Sequence, residues 1–143
     1  MATILRHLLT TGWSLTLSTN IGRRKGDKDT LFFHRSDPDP SAVVCSISFH
    51  GFDKMRLIGA PPQLHDAVDG AVRKSWKKVQ DKNMKLGHPE WKLKGLPWWP
   101  SGDEEMVKSR ILMARVFEAA RGVGFDVYGG FQMTRGTKSD VVT

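Results

Sequence analysis

A pattern of about thirty residues occurs twice in this chain, and it constrains the fold more than any other feature. In each copy an apolar stretch with helical spacing ends at a glycine, an alternating stretch follows, and a polar basic loop leads into a second apolar stretch. The two glycines, Gly12 and Gly124, lie 112 residues apart. The pattern predicts a helix end, a glycine stop, a strand, a loop and a return strand over about 3–34 and again over about 115–143.

The aromatic residues that follow the glycines, Trp13 and Phe125, hold matching places in the two copies. The aspartates that open the return stretches, Asp29 and Asp140, lie 111 residues apart, so the second loop is one residue shorter. We interpret the repeat as an internal duplication within a single domain spanning residues 1–143, and we expect both copies to occupy equivalent places in one sheet. Such a framework holds surfaces in place and does not by itself indicate an active site.

The other apolar patterns predict an α+β fold. Helical spacing indicates helices over about 2–11, 62–81 and 102–122, and alternation indicates strands over about 13–18, 30–34, 42–49, 54–58 and 90–94. Residues 83–89 are predicted to be a connection, and Ser101 and Glu104 to form a capping box at the start of the third helix. Short turns between strands favour a mostly antiparallel sheet of about six or seven strands, with two long helices and one short helix packed on it.

Positive charge is the strongest signal in the composition, with a net charge of +7 and an isoelectric point near 9.8. Most of it falls between residues 73 and 94, and a smaller cluster lies in the first loop. The residues predicted to bind an anionic partner are Arg73, Lys74, Lys77, Lys78, Lys92, Lys94, Arg23 and Arg24. The alternative interpretation is a solvated face that keeps the protein in solution, because basic residues near the end of the second helix also suit the helix dipole.

The sequence Pro97-Trp98-Trp99-Pro100, preceded by Lys94-Gly95, resembles the signature of PWWP domains. These are chromatin readers in which a small β-barrel with an aromatic cage lies beside basic residues that bind DNA. In that family the signature lies near the start of the domain and the barrel follows it, whereas here a capped helix follows at once. We therefore expect two prolines to rigidify a loop and two indoles to cover the seam between strand and helix, with Trp98 and Trp99 as candidate anchors for a partner.

Residues that could support catalysis are few, and we predict no catalytic residue, no metal site and no cofactor. Cys45 falls on the inward face of a predicted strand, and His50 and Asp53 flank a predicted turn, which favours structural roles. No zinc-ligand spacing, serine nucleophile motif or dinucleotide fingerprint is present. A single cysteine excludes an internal disulfide and favours a reducing compartment, so we expect the cytoplasm or the nucleus.

The sequence as a whole predicts a non-catalytic intracellular binding or adaptor module. We expect it to dock a protein partner through its basic and tryptophan-containing surface. The alternatives are a domain that binds RNA or DNA through the same lysines, and a domain that binds an acidic membrane surface. No apolar run is long enough to cross a bilayer, and Arg6 and His7 interrupt the first apolar stretch, so neither a transmembrane segment nor a signal peptide is expected.

Overall fold

The computed structural model describes residues 1–22, 28–132 and 139–142, and within them the chain forms three helices and eight strands. The helices are α1 (Ala2–Thr10), α2 (Pro62–Ser75) and α3 (Asp103–Gly122). The strands are β1 (Trp13–Thr19), β2 (Thr30–Arg35), β3 (Ser46–His50), β4 (Lys54–Ile58), β5 (Val79–Lys85), β6 (His88–Leu93), β7 (Gly129–Gln132) and β8 (Ser139–Val142). The predicted α+β class is confirmed.

Two antiparallel sheets organise these strands. One sheet has six strands in the order β5-β6-β4-β3-β8-β7, and every neighbouring pair in it is antiparallel. The other sheet is the hairpin of β1 and β2 alone. Its register shifts between Leu15 and Leu17, so Thr16 is the extra residue of a bulge. The predicted antiparallel architecture with helices packed on the strands is therefore confirmed, although the strands divide between two sheets.

The main core lies between the six-stranded sheet and the pair of helices α2 and α3. Alternation along the central strands places Ile47, Phe49, Met55, Leu57, Trp91 and Leu93 on the buried face of the sheet. The helices contribute Leu64, Val68, Val72, Leu112, Val116 and Ala120, which are buried at helical spacing. A smaller cluster forms where Leu5 of α1 packs against Leu31, Phe33, Val44 and Tyr128.

Asp69 ties helix α2 to the hairpin of β5 and β6. Its carboxylate accepts a hydrogen bond of 2.7 Å from Nε1 of Trp91, whose ring is fully buried, and forms ion pairs with Arg73 at 3.0 Å and Lys82 at 3.3 Å. Burial alone would raise the pKa of Asp69, but hydrogen bonds from Trp91, Arg73 and Lys82 outweigh it and hold the pKa below its ordinary value of 3.8. The charged carboxylate is thus the form that the fold stabilises.

The second helix is shorter than predicted. It ends at Ser75, and Trp76 has an extended backbone with φ −116° and ψ 127°. The predicted connection over 83–89 is wrong as well, because β5 and β6 form a hairpin through Leu86 and Gly87, which both have positive φ. The helix was predicted too long because Trp76 and Val79 continue its apolar spacing. Both residues pack against the same core as α2, although they lie beyond the end of the helix.

Two further boundaries differ from the sequence-based prediction. The strand predicted over 42–49 begins only at Ser46, and Val43 is exposed. At the start of α3 the amide and hydroxyl of Ser101 both donate to Glu105 at 3.0 Å, so the predicted pairing with Glu104 is wrong. Glu104 instead accepts a hydrogen bond from Lys108 one turn further along the helix. In both pairs, Ser101 with Glu105 and Glu104 with Lys108, residues four apart lie on the same side of the chain, so each carboxylate reaches a hydrogen-bond donor.

The two copies of the repeat share local structure but differ in their placement. Gly12 and Gly124 end α1 and α3 with φ of +91° and +90°, and an antiparallel hairpin follows each helix. The expectation that both hairpins lie in one sheet is wrong, because β7 and β8 belong to the six-stranded sheet and β1 and β2 do not. Residues 125–128 are not a strand, and the basic loops with Arg23, Arg24 and residues 133–138 lie outside the part of the chain described.

The surroundings of the two matching aromatic residues also differ. The guanidinium of Arg35 lies 5.0 Å from the centre of the Trp13 ring, whereas Phe125 packs against the main core. The local helix–glycine–hairpin order is therefore confirmed, whereas a common packing environment is not. A shared origin of the two copies and the single-domain organisation remain predictions.

We expect Asp69→Ala to lower the free energy of unfolding by about 1–3 kcal/mol, because the buried indole N–H of Trp91 loses its acceptor. Asp69→Asn retains an amide oxygen as acceptor and should cost less. Urea unfolding at neutral pH measures both. Asp66→Ala on the exposed side of the same helix is the matched control and should change stability by no more than about 0.5 kcal/mol.

The contribution of Asp69 should also depend on pH. Because its pKa is lowered in the folded state, the stabilisation is present above the ordinary value of 3.8 and is lost as the pH falls through the lower folded pKa. We expect the difference in unfolding free energy between the natural protein and Asp69→Asn to shrink below about pH 4. A difference that stays constant down to pH 2 would show that Asp69 carries no linked proton.

A lysine-lined groove beside the proline-tryptophan loop

A groove of about 620 Å³ opens between the end of α2, the loop after β6 and the first turns of α3. Its lining residues are Ser75, Trp76, Lys77, Lys78, Lys94, Gly95, Leu96, Pro97, Glu105 and Lys108. Three separate segments of the chain therefore build the groove, and each of them supplies at least one lysine. We call this site the lysine groove.

Two hydrogen bonds to backbone carbonyls align the first two segments. Nε1 of Trp76 donates to the carbonyl of Lys94 at 3.0 Å, and the amide of Lys94 donates to the carbonyl of Lys78 at 3.0 Å. Because Trp76 has left the helix and is extended, its ring packs against the core while Lys77 and Lys78 stay exposed. The geometry brings together three of the lysines that the sequence predicted to bind an anion.

Helix α3 closes the other side of the groove. The hydroxyl of Ser109 donates to the carbonyl of Pro97 at 2.7 Å, with the carbonyl of Glu105 at 3.0 Å as a second acceptor, and this fixes the loop against the helix. Lys108 adds a fourth ammonium group to the lining. Sequence analysis missed Lys108, although its four-residue spacing from Glu104 indicates which side of the helix it shares.

Two carboxylates, Glu104 and Glu105, reduce the positive charge at the lysine groove without neutralising it. The hydrogen bond from Lys108 holds the pKa of Glu104 below its ordinary value, and hydrogen bonds from the amide and hydroxyl of Ser101 do the same for Glu105. Both carboxylates are therefore ionised at neutral pH. Four lysines still outnumber the two glutamates, so the groove keeps an excess of positive charge.

Apolar groups form the floor of the groove and continue past its rim. Trp76 and Pro97 line it from below, and Leu96 leaves much of its side chain exposed. Gly95 has φ of +94°, a conformation that glycine adopts without strain, and it turns the chain after β6. The site is thus an apolar trough edged by cations, which suits a ligand that has both apolar and acidic parts.

The two tryptophans of the proline-tryptophan loop have different environments. Nε1 of Trp98 donates to the carbonyl of Lys54 at 2.8 Å, and its ring meets Phe49 edge-on with centroids 4.6 Å apart, within the main core. Trp99 is 58% exposed, and its ring meets the exposed ring of Phe52 edge-on with centroids 6.1 Å apart. Trp99 thus has the more accessible ring of the two predicted anchors, and the amide of Trp99 bonded to Leu96 places it one turn from the groove.

The remaining predicted anion-binding residues are spread over other surfaces. Arg73 pairs with Asp69 on α2, and Lys74 is exposed on the same helix. Lys92 lies opposite Lys54 in the sheet and does not line the groove. The sequence-predicted cluster therefore divides into a groove set, which is Lys77, Lys78 and Lys94, and a set of separate exposed cations.

The polar residues considered for catalysis lie in different surroundings. Cys45 is fully buried in the main core, and Nε2 of His50 lies 2.8 Å from Oγ of Ser48 on the polar face of the sheet. The Asp53 carbonyl accepts a hydrogen bond from the amide of Leu93. Among residues 1–22, 28–132 and 139–142 no group of three or more histidine, cysteine or acidic side chains is placed to hold a metal ion. No helix in these ranges has the length and apolar character needed to span a membrane.

A protein-family model matches residues 1–34 and 43–143, which is most of the chain, so the protein belongs to the domain family that this model defines. The match includes both copies of the repeat and the segments that build the lysine groove. No curated protein and no solved structure matches the chain. The family match comes without an activity, and function is therefore argued from the geometry of the groove.

We expect Trp98→Ala and Trp99→Ala to affect stability very differently. Trp98→Ala removes a ring from the core and leaves the Lys54 carbonyl without its donor, so it should lower the free energy of unfolding by about 3 kcal/mol or more. Trp99→Ala removes an exposed ring and should change it by no more than about 0.5 kcal/mol. Urea unfolding of both variants checks this, and equal losses would contradict the assignment of Trp98 to the core.

Proposed function

We propose that this protein is a non-catalytic binding module that docks an acidic segment of a protein partner in the lysine groove. The observation that carries the proposal is the convergence of lysines from three chain segments along an apolar trough. Carboxylates of the partner would pair with Lys77, Lys78 and Lys94, while its apolar side chains would cover Leu96 and reach Trp99.

The acidic lining of the groove favours a peptide over a nucleic acid. Glu105 lines the trough and can accept an N–H from a peptide backbone, a donor that the phosphate groups of a nucleic acid do not have. A nucleic-acid groove also needs several exposed rings on which bases can stack. Here Trp76 and Trp98 pack against the core, and Phe52 contacts the ring of Trp99. Little of the aromatic surface beside the groove is therefore free to stack on a base.

Nucleic-acid binding is the second candidate, and the net charge of +7 favours it. The same lysines would then contact phosphates, and Trp99 would stack on a base. Binding to an acidic membrane surface draws on the same cations but needs apolar residues that can enter the headgroup layer beside them, for which Leu96 and Trp99 are the available groups.

We propose that the protein works in the cytoplasm or the nucleus. Its one cysteine, Cys45, is buried in the core and serves there as a small apolar residue. A binding function that depends on exposed lysines and one exposed indole requires no disulfide, metal or cofactor. These features support a reducing compartment, in which acidic protein segments and nucleic acids are both present as possible partners.

We expect the double variant Lys77→Glu/Lys78→Glu to weaken binding of a glutamate- and leucine-containing peptide by about tenfold or more, because two attractive contacts become repulsive. Fluorescence anisotropy with the labelled peptide measures this. Lys85→Glu, at the exposed end of β5 and away from the groove, is the matched control and should leave the affinity within about twofold. Circular dichroism verifies that each variant is folded.

A labelled mixed-sequence single strand of DNA or RNA provides the decisive comparison. Under the proposal it binds more weakly than the acidic peptide at about 200 mM salt, because a nucleic-acid complex that depends on phosphate contacts loses affinity steeply with salt. Tighter binding of the oligonucleotide at that salt, removed by the same double variant, would establish the second candidate instead. Equal peptide binding by the groove variant and the Lys85→Glu control would contradict the proposal.

A further inference from the structure

The face of the six-stranded sheet that points away from α2 and α3 carries a row of basic side chains. On the other face Met55 and Trp91 are buried against the helices. Because side chains alternate along a strand, their neighbours Lys54 and Lys92 lie on the face away from the helices. The strand register places Lys92 directly opposite Lys54, and Lys54 directly opposite His50. Three adjacent strands therefore place three basic side chains side by side.

The pairing of Lys54 with Lys92 is unfavourable for the sheet. Opposite residues of an antiparallel pair have Cβ atoms about 4.5–5.5 Å apart, and like charges at that separation repel each other. The next pair along the same two strands has the favourable arrangement, because Arg56 lies opposite Glu90 and forms an ion pair of 2.6 Å with it. The two lysines thus break a rule that the neighbouring pair follows.

Two acidic residues on the same face bind other donors. Asp81 lies opposite Lys92 on the edge strand β5, but its carboxylate accepts a hydrogen bond of 2.6 Å from the side-chain amide of Asn83. Glu90 is paired with an arginine, as described above. Within residues 1–22 and 28–130 no carboxylate oxygen lies within 4.0 Å of the ammonium nitrogen of either lysine. The row therefore keeps an excess of positive charge.

Hydrogen bonds hold the backbone on both sides of the lysine pair. Nε1 of Trp98 donates to the carbonyl of Lys54 at 2.8 Å, and the amide of Leu93, next to Lys92, donates to the carbonyl of Asp53 at 2.8 Å. The separation of the two lysine backbones is therefore fixed before any ligand arrives. A site that is organised in advance binds an ion without the cost of ordering the chain.

We propose that Lys54 and Lys92, with His50 beside them, form a binding site for a phosphate monoester group. Such a group carries a charge of about −1.5 to −2 at neutral pH, which matches two ammonium groups. A carboxylate or a nucleic-acid phosphodiester carries only one negative charge. Lysine binds phosphate as a point charge, and two lysine side chains that start about 5 Å apart can both reach one phosphate. The bound group also relieves the repulsion between the lysines, and departures from local rules are expected at functional sites.

The site is independent of the lysine groove. Neither Lys54 nor Lys92 lines the groove, so the inference does not rest on the proposed docking of an acidic segment. It also gives a role to Lys92, which belongs to the basic residues of the sequence but not to the groove set.

Titration of the full-length chain with inorganic phosphate, followed by nuclear magnetic resonance at about pH 8 and constant ionic strength, tests the proposal. We expect saturable shifts of the backbone amides of His50, Lys54 and Lys92 with a Kd of about 1–10 mM. Lys92→Gln should weaken this binding about fivefold or more, because one of the two ammonium groups is lost. Lys85→Gln is the matched control on the same face at the other end of β5, and it should leave the Kd within about twofold.

The double variant Lys77→Glu/Lys78→Glu separates the two sites. It should retain the phosphate-dependent shifts of Lys92, whatever its effect on peptide binding, because the lysine groove lies elsewhere. Shifts that vanish in this double variant would overturn the proposal. So would the absence of saturable shifts in the row, or equal phosphate affinities of Lys92→Gln and Lys85→Gln.

Three probes identify the chemistry and the source of the group. Dimethyl phosphate, a diester with one negative charge, should bind about threefold or more weaker than inorganic phosphate, and equal binding would contradict the charge match. A phosphoserine peptide with otherwise neutral residues that binds about tenfold tighter than inorganic phosphate would identify a phosphorylated protein segment as the source. Equal binding of the phosphoserine peptide and inorganic phosphate would identify a small phosphate compound.

Thermal unfolding in buffer without phosphate tests the repulsion between the lysines. Lys92→Gln should raise Tm by about 1–3 °C, because a charge opposite a like charge is removed. Lys85→Gln should leave Tm within about 1 °C. Added phosphate should then raise Tm of the natural protein more than that of Lys92→Gln. A lower Tm of Lys92→Gln without phosphate would contradict the inferred site.

Discussion

The hydrogen bond from the Trp91 indole to Asp69 is the constraint on which the rest of the structure depends. The ring of Trp91 is fully buried on strand β6, and its N–H is a donor that must find an acceptor there. Asp69 supplies that acceptor from α2 and also receives Arg73 and Lys82. The helix, strand β6 and the edge strand β5 are therefore held by one carboxylate. Helix α2 runs on from Asp69 to Ser75, where the lysine groove begins.

The shape of the lysine groove depends on contacts to the backbone more than on the lysine side chains. Trp76 leaves the helix and bonds to the Lys94 carbonyl, Lys94 bonds back to Lys78, and Ser109 holds Pro97 against α3. Each contact uses a backbone group or a core ring, so the ammonium groups are left outside at a common opening. Exposed ion pairs contribute little to stability, and the cations of the groove are therefore available for binding without a large cost to the fold.

The sequence predicted most of this architecture because the apolar periodicity of the helices and strands matches the residues that the core buries, as Val68, Val72 and Val116 show. The prediction of the end of α2 failed because a helix and the extended segment after it pack against the same core. Trp76 and Val79 continue a helical stripe by spacing, yet they pack from an extended segment and a strand. The prediction placed a connection over 83–89 and missed strand β5, because β5 is mostly polar and exposed and shows no apolar alternation. The convergence of three segments with Lys108 depends on tertiary packing and could not be obtained from local patterns.

The two copies of the repeat show how far local sequence determines structure. Both produce a helix, a glycine with φ near +90° and an antiparallel hairpin, because these features depend on neighbouring residues alone. Burial is not local, and it follows from what each copy meets: Val116 is covered by the sheet, whereas Ile4 at the matching position is exposed. The same local pattern therefore does not determine how deeply the matching side chains of the two helices are buried.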